Sequence, residues 1–487
     1  MRCVRAGPDL ADEPERYRKS GAELLELPLG LFPATNPGKL RLLADRAGLQ
    51  TLATVQRLEG PGRAQLEKAV QARFDYVEVP LDTDVETRGR MLAQARRAGV
   101  KVVLSSRSAR PPRSVESVLR LFQKCSRAGG DLALASFEVF RADHVRALRD
   151  ASAAAGALGI PHGIAGTGGL SRLVSLLPGD LIFGALGGEP DGLDIGLLSR
   201  IGPSTRLFAI IGEPAHPTVP LEVLNASFRA LGQNCACIQL QVGPDGPAGL
   251  AGLLREMGFS GFLIGRPFRA AAVALAPASG GAPAAVSAVT VRGRALVSHD
   301  TDGPALLDAL ERSGVRVHRR RAVVLGTGGA ARSVALALRS RGARVVIAGR
   351  SLRRALEAAG VSGAEAASLS SLGALLGRSS LLVSAIPGTG ADVVPDSFLR
   401  PSLVVVDLDC SPGSRDLSGR AAESGAHTVS GTAVLGRNLV EALRLFTGAR
   451  PPKGQVEGLV DEILRRGARA KKNQGATKNI NLAKQSR

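Results

Sequence analysis

The chain has few of the residues that mark several common protein classes. Only 3% of its 487 residues are aromatic, with no Trp and two Tyr, so stacking platforms for single-stranded bases are scarce. Its five cysteines are scattered and odd in number, which predicts reduced thiols rather than a disulfide framework or a metal site. No uninterrupted apolar run reaches transmembrane length, so we expect no membrane partner.

Acidic residues are also in short supply, because 63 Lys and Arg face 43 Asp and Glu and the net charge is +20. This excess favours RNA or another polyanion as a partner, bound mainly through phosphates. Arg-rich faces are expected at 107–127, 316–321 and 339–354, and a basic tail follows Glu462 without any acidic residue. The alternative for each cluster is a solvated face in an arginine-rich chain.

One motif has a specific physical meaning. The apolar run Ala322 to Leu325 ends in a glycine turn, which passes into a small-residue helix and then a second β-branched run, Ala343 to Ala348. A strand, a glycine turn and a helix N-terminus suit a dinucleotide pyrophosphate. The predicted cofactor-binding residues are Gly326, Gly328, Gly329, Arg350 and Ser351. Arg350 stands where an NAD site would carry an acid, so the pattern favours NADP. The alternative is an inherited scaffold with an empty crevice.

Short strands alternate with helical segments over roughly the first 200 residues, which predicts a (β/α)8 barrel. Strand candidates are 23–27, 51–55, 76–79, 101–104, 132–134, 160–164 and 181–183. The fold class is therefore α/β, with an N-terminal TIM barrel followed by a two-part α/β region that ends in a Rossmann domain. The predicted domains are 1–203 (barrel), 204–310 (substrate domain), 311–450 (Rossmann domain) and 451–487 (C-terminal helix and basic tail).

Several landmarks together resemble one family over nearly all of residues 1–466. They are GAELLELPLG at Gly21, KVVLSSRSARPP at Lys101, GLSRLVS at Gly169, HDTDG at His299, the glycine turn at Gly326 and LFTG at Leu445. The chain resembles the plant-type bifunctional 3-dehydroquinate dehydratase/shikimate dehydrogenases. The resemblance implies a barrel that dehydrates its substrate through a lysine Schiff base and a histidine base. It also implies a second half that transfers hydride from NADPH beside a Lys/Asp pair.

The residues that the resemblance assigns to the barrel chemistry have changed. Leu134 stands at the Schiff-base lysine and Arg107 at the histidine base, so neither the covalent intermediate nor the proton transfer is expected. Glu26, Glu78 and Arg172 do match the family. Their alternative interpretation is buried charges paired within the former pocket.

The second half has changed in the same way. The two substrate-binding serines become Pro217 and Val219, and Arg269 replaces the catalytic lysine. The catalytic aspartate survives as Asp302, although Asp300 and Asp302 can equally be helix N-caps. Other polar site residues that the resemblance implies are also replaced, at Ser287, at Cys410 and in the segment that ends at Asn438.

Three functions remain open from the sequence. The first is a pseudoenzyme without certain cofactor or catalytic residues, recruited with other protein subunits into an RNA-containing assembly such as an organellar ribosome. The second is an NADP-dependent shikimate/quinate-type oxidoreductase with an altered substrate. The third is an NADP-binding regulator. The expected location is intracellular, in a mitochondrion or plastid, although no transit peptide is visible.

Overall fold

The computed structural model describes residues 1–7, 10, 14–186, 192–213, 219–243, 246–275, 284–386, 392–410 and 417–467. The chain forms two compact units, Met1–Thr205 with Leu240–Leu253, and Arg206–Gln239 with the chain from Leu254 onward. Two segments singled out in the sequence lie outside the described residues: Pro217 with its neighbours at 214–218, and the basic tail beyond 467.

A closed barrel of eight parallel strands, β1–β8, forms the first unit. The strands are β1 Arg2–Arg5, β2 Leu24–Pro28, β3 Gln50–Thr54, β4 Tyr76–Pro80, β5 Lys101–Arg107, β6 Leu132–Glu138, β7 His162–Thr167 and β8 Leu181–Gly184. The helices are α1 Pro14–Lys19, α2 Pro37–Arg46, α3 Gly60–Gln71, α4 Val85–Ala98, α5 Val115–Arg127, α6 Ala142–Ala157, α7 Ser171–Val174 and α8 Ile195–Leu198. The expected barrel is confirmed. The sequence missed only β1, because its two buried residues, Cys3 and Val4, are too few for a periodic pattern.

The barrel interior changes from apolar to polar along the strands. An apolar layer is formed by Cys3, Leu24, Leu52, Tyr76, Val103, Leu132, Leu134 and Leu181. Because side chains alternate with a period of two, the next inward positions are Arg5, Glu26, Thr54 and Glu78, followed by Arg107 at the end of β5. The polar layer therefore lies at the carboxyl ends of the strands, where barrel enzymes place their active sites.

A five-stranded sheet opens the second unit, in the order β10-β9-β11-β12-β13. Its strands are β9 Arg206–Gly212, β10 Cys235–Gln241, β11 Gly261–Ile264, β12 Ala288–Arg292 and β13 Ala295–His299. Helix α9 Val219–Ala230 belongs to this unit, whereas the end of β10 and most of α10 Gly246–Glu256 are grouped with the first unit. Two late helices, α16 Gly431–Thr447 and α17 at 455–467, supply part of the core beside Phe208 and Phe228. The sequence boundaries at 310 and 450 separate these helices from the sheet that they cover.

A six-stranded parallel sheet follows, in the order β16-β15-β14-β17-β18-β19. Its strands are β14 Arg321–Leu325, β15 Arg344–Gly349, β16 Glu365–Ser368, β17 Leu381–Ser384, β18 Val404–Asp407 and β19 His427–Val429. The helices are α11 Asp302–Arg312, α12 Gly329–Ser340, α13 Leu352–Ser362, α14 Leu372–Gly377 and α15 Leu417–Glu423. This strand order confirms the Rossmann-type domain and places its crevice at the carboxyl ends of β14 and β17, where the order reverses.

Helices α11 and α12 approach closely at Gly303. A Cβ built there would lie 2.7 Å from the Cβ of Ala337 and 2.8 Å from the carbonyl oxygen of Ser333. Only a glycine gives this spacing without displacing backbone. The close contact therefore holds the start of α11 against α12.

We expect Gly303→Ala to destabilise the second unit by about 1–3 kcal/mol, because the added methyl overpacks the contact. Scanning calorimetry should show a lower Tm for one unfolding transition. The matched control is Gly89→Ala in α4, where nothing lies within 4 Å of the built Cβ. That change should be neutral or stabilising by about 0.5–1 kcal/mol. Equal shifts in the two variants would contradict the interpretation of Gly303.

Candidate dinucleotide and substrate site

The glycine turn leaves β14 and enters α12 as the sequence predicted. Gly326 has a φ of +113° and its built Cβ would lie 3.1 Å from the carbonyl oxygen of Ala385, so a larger residue is disfavoured. Gly328 precedes the first helical residue of α12 and has open space around it. The turn thus leaves the helix N-terminus accessible to an anionic group, as a pyrophosphate requires.

Gly329 brings the turn against a residue of the substrate side. Its built Cβ would lie 2.5 Å from the Cβ of Arg269 and 3.1 Å from the nitrogen of Ala270. Glycine is required here because the backbone of α12 touches the segment that follows β11. Arg269 therefore stands directly beside the predicted pyrophosphate site.

The ribose end of the site lies after β15. Arg350 is exposed, and Ser351 begins α13 with its hydroxyl accepting a hydrogen bond from the backbone nitrogen of Arg354 at 3.4 Å. Ser351 is thus the N-cap of α13, which the sequence did not anticipate. Arg350 keeps an accessible guanidinium at the position where a 2′-phosphate would need one.

Asp302 lies in a buried polar cluster at the start of α11. Its Oδ2 accepts a hydrogen bond from Nη1 of Arg269, and its Oδ1 accepts one of 2.6 Å from Nδ2 of Asn438. The side chains of Asp302 and Arg269 are 9% and 25% exposed. The carboxylate is paired with Arg269 and Asn438 and is not the N-cap of its own helix. Its role as a retained catalytic residue stays a prediction.

Asp300 lies one residue before the N-cap of α11, which is Thr301, so neither aspartate is the N-cap that the sequence offered as an alternative. Its Oδ1 accepts hydrogen bonds from the Asp302 nitrogen at 3.2 Å and from the Ser333 hydroxyl at 2.6 Å. Ser333 Oγ in turn accepts from the Gly303 nitrogen at 2.7 Å. Burial, followed by the charge of Asp302, raises the pKa of Asp300 to about 6. A carboxyl group that titrates near neutral pH therefore lies next to Asp302.

Two other altered positions have local roles. Ser287 Oγ accepts from the Thr301 nitrogen at 2.7 Å and contacts the Thr301 hydroxyl at 2.8 Å, so it holds the residue before Asp302. Cys410 is half-buried, and burial raises the pKa of its thiol to about 12. A thiol in that state is a poor nucleophile.

In the barrel the structure joins three of the predicted site residues. Arg107 donates from Nε to Glu78 Oε1 at 2.8 Å and from Nη2 to Glu78 Oε2 at 2.6 Å, which is a bidentate pair. Its Nη2 also lies 3.4 Å from Glu26 Oε1, which receives a 2.9 Å hydrogen bond from Nη2 of Arg5. These hydrogen bonds to Glu78 raise the pKa of Arg107 above its ordinary value, so it stays charged.

The other two barrel residues have different contacts in the described part of the chain. Leu134 is 1% exposed and belongs to the apolar layer. Nε of Arg172 donates to the carbonyl of Gly192 at 3.2 Å. The interpretation of Glu26 and Glu78 as paired buried charges describes what the structure contains.

The sequence missed Asn438, Ser333 and Arg5 as partners of these sites. Asn438 lies 136 residues after Asp302 and Arg5 lies 21 residues before Glu26. No local pattern links such distant residues, because their proximity depends on how whole helices and strands are arranged. Only the period of two along β1 could have placed Arg5 on the inner face, had that strand been recognised.

Comparisons with known proteins agree with this geometry. Residues 309–398 match the model of the shikimate / quinate 5-dehydrogenase family. The chain is 28% identical over 491 residues to a chloroplastic bifunctional 3-dehydroquinate dehydratase/shikimate dehydrogenase of Arabidopsis thaliana, covering 91% of this chain and 80% of that one. A crystal structure of a shikimate dehydrogenase in complex with NADP+ covers 54% of this chain and 97% of its own, with a TM-score of 0.50 at 23% identity.

Two curated relatives show the family. A shikimate dehydrogenase (NADP(+)) of Rubrobacter xylanophilus is 35% identical over 271 residues, and one of Thermococcus kodakarensis is 33% identical over 263 residues. This chain covers 95% of the length of each, using 52% of its own residues. With the Rossmann crevice, the Asp302–Arg269 pair and this coverage together, the chain belongs to the shikimate dehydrogenase family.

Proposed function

We propose that the second unit is an NADP(H)-dependent oxidoreductase of the shikimate/quinate type, acting on a hydroxy acid or polyol that the altered polar set selects. The observation that carries this proposal is Arg269, which contacts Gly329 of the dinucleotide turn and is paired with buried Asp302. The relatives favour this function over a structural subunit, because they are NADP-dependent dehydrogenases by name.

The described residues fit a dinucleotide. Gly326 makes the tight turn, Gly328 leaves open space for a pyrophosphate at the N-terminus of α12, and Arg350 offers a guanidinium to a 2′-phosphate. When bound, the nicotinamide would accept or donate hydride. Asp302 and Asn438 would orient Arg269, whose Nη2 has no hydrogen-bond partner among the described residues and can hold the substrate oxygen.

The change from lysine to Arg269 alters what this site can do. A guanidinium remains protonated at every accessible pH, so Arg269 stabilises negative charge on oxygen but is a poor proton donor. We therefore expect slower turnover than a lysine would support, with a substrate different from shikimate. Arg269→Lys keeps the charge and adds a titratable amine, so it is the variant that would restore proton transfer.

We further propose that the barrel has no dehydratase activity. Leu134 cannot form an imine, and Arg107 is held by two carboxylates and cannot accept a proton. Turnover of dehydroquinate by the full chain would contradict this proposal.

A role in an RNA-containing assembly remains a second proposal. It depends on the +20 net charge and on the basic residues after Glu462, and none of the relatives supports a ribosomal role. Of the two organelles expected from the sequence, the chloroplastic relative supports a plastid, whereas a mitochondrial location stays a prediction. None of the helices in the described part of the chain has both the length and the apolar character needed to span a bilayer.

The cofactor proposal predicts that the full chain binds NADP+ more tightly than NAD+. Arg350→Ala should weaken the binding of NADP+ about tenfold and leave the binding of NAD+ nearly unchanged, because only NADP+ carries the 2′-phosphate. Isothermal titration measures both affinities. The control is Arg353→Ala, since Arg353 is already paired with Glu357 on α13 at 2.6 Å. The absence of any dinucleotide affinity would overturn the proposed function.

The barrel proposal predicts that Arg107 is a structural partner of Glu78. Arg107→Ala should lower the free energy of unfolding by about 1–3 kcal/mol. This loss is smaller than the loss expected for breaking a fully buried pair, because the Arg107 side chain is 43% exposed. Calorimetry on Arg107→Ala, Glu78→Gln and the double variant gives the coupling energy. Arg90→Ala, which loses an exposed 3.7 Å pair with Glu86, is the control and should change stability by less than about 0.5 kcal/mol. Additive effects at Arg107 and Glu78 would contradict the pairing.

The RNA proposal predicts that binding to duplex RNA falls steeply as salt rises from about 50 to 200 mM. Truncation after Gly467 should remove several phosphate contacts and flatten the slope of log affinity against log salt. Filter binding measures this slope. Unchanged affinity and slope after truncation would exclude the tail as the RNA site.

A further inference from the structure

We propose that Asp300 is a positioning residue that ties the Asp302 site to the dinucleotide helix α12 and, through its charge, weakens dinucleotide binding as the pH rises. This inference rests on the proposed function, because it names a control on the same site. It stands on three contacts that join α11 to α12: the Ser333 hydroxyl to Asp300, the Gly303 nitrogen to Ser333, and the tight backbone approach at Gly303.

The contacts give Asp300 a mechanical role. Its Oδ1 accepts both the Ser333 hydroxyl and the nitrogen of Asp302, so one oxygen holds the first residue of α11 and the second turn of α12 together. Asp302 in turn is bonded to Arg269 and Asn438. A displacement of Ser333 would therefore also displace Asp302, which orients Arg269.

Asp300 can also exchange protons with solvent. It lines a groove of about 580 Å³ between α11 and α12, together with Pro304, Leu307, Ser333 and Leu336. Its Oδ2 makes no hydrogen bond to any described residue. The opening gives the carboxyl group access to water while its other oxygen stays bonded.

The charges around Asp300 come from every neighbouring element. They are Asp302, Asp308 and Glu311 on α11, Arg341 at the end of α12, Arg269 after β11, and His299 on β13, whose own pKa is lowered by burial. Asp308 is neutralised by ion pairs of 2.9 Å with Arg312 and 3.1 Å with Arg437. Burial and Asp302 outweigh Arg269 and raise the pKa of Asp300 to about 6, from an ordinary value of 3.8.

The raised pKa of Asp300 gives the direction of its effect on stability and of its effect on dinucleotide binding. The folded protein holds the proton of Asp300 more tightly than the unfolded chain, so its charge costs stability above about pH 6 and costs nothing below about pH 4. Ser333 lies four residues into α12, or about 6 Å from the helix start along the axis. Asp300 accepts the Ser333 hydroxyl, so its negative charge lies beside the second turn of α12 and opposes a pyrophosphate at the N-terminus of the same helix.

The test compares NADP+ binding by wild type, Asp300→Asn and Asp308→Asn between about pH 5 and 8. Asparagine keeps the acceptor oxygen and removes the charge. As the pH rises, wild type should lose about three- to tenfold in affinity relative to Asp300→Asn. Titration of the ligand's own 2′-phosphate is common to all three proteins and cancels in the comparison. Asp308→Asn, a groove carboxylate that is already paired, should follow the wild-type curve.

A second measurement separates this inference from the proposed function. Asp300→Asn should raise the Tm at about pH 8 and leave it unchanged at about pH 4, whether or not a dinucleotide binds. Ser333→Ala keeps Asp300 ionisable but breaks the link, so it should weaken NADP+ binding about tenfold at about pH 5, where Asp300 is uncharged. Failure of every variant to bind NADP+ would overturn the proposed function. Identical pH curves and melting shifts for wild type and Asp300→Asn would overturn the role of Asp300.

Discussion

The second unit depends on the pairing of one buried carboxylate. Asp302 is only 7% exposed, and an ionised group so far from water must have donors on both oxygens. Arg269 comes from the segment after β11 and Asn438 from α16, so one charge ties together three separate parts of the chain. Because Arg269 also touches Gly329, the same pairing fixes the distance between the substrate side and the dinucleotide turn.

The barrel satisfies a comparable set of buried charges in the opposite way. Glu26 and Glu78 are each 3% exposed, and their donors are Arg5 and Arg107 on neighbouring inward positions. These four side chains satisfy one another without a ligand, and Leu134 completes the apolar layer below them. Such a network is stable and has no nucleophile, which is why the barrel is proposed to have kept its fold and lost its chemistry.

The charge excess and the family relationship point to different properties of one molecule. The relatives are dehydrogenases by name, which supports the proposed chemistry in the Rossmann crevice. The basic residues after Glu462 instead bear on whether the chain binds a polyanion such as RNA. The sequence alone favours a pseudoenzyme, because most catalytic residues that the resemblance implies are replaced. The proposed oxidoreductase rests on these relatives and on the position of Arg269 beside Gly329, because a buried ion pair alone, such as that of Arg107 with Glu78 in the barrel, does not distinguish an active site from a structural one.

The sequence by itself determined the barrel and the Rossmann-type domain, because these follow from strand periodicity and glycine spacing along the chain. Its resemblance to the family implied that Leu134 stands where a Schiff-base lysine is expected. The sequence also placed Gly326 directly after the first strand and Arg350 directly after the second strand of one strand–helix–strand unit. The tertiary structure alone decided that Asp302 pairs with Asn438, that Ser333 bridges Asp300 and Gly303, and that the late helices cover the five-stranded sheet. The physical reason is that hydrogen bonds and ion pairs depend on distances in space, and residues 136 positions apart have no shared local pattern from which such a distance can be read.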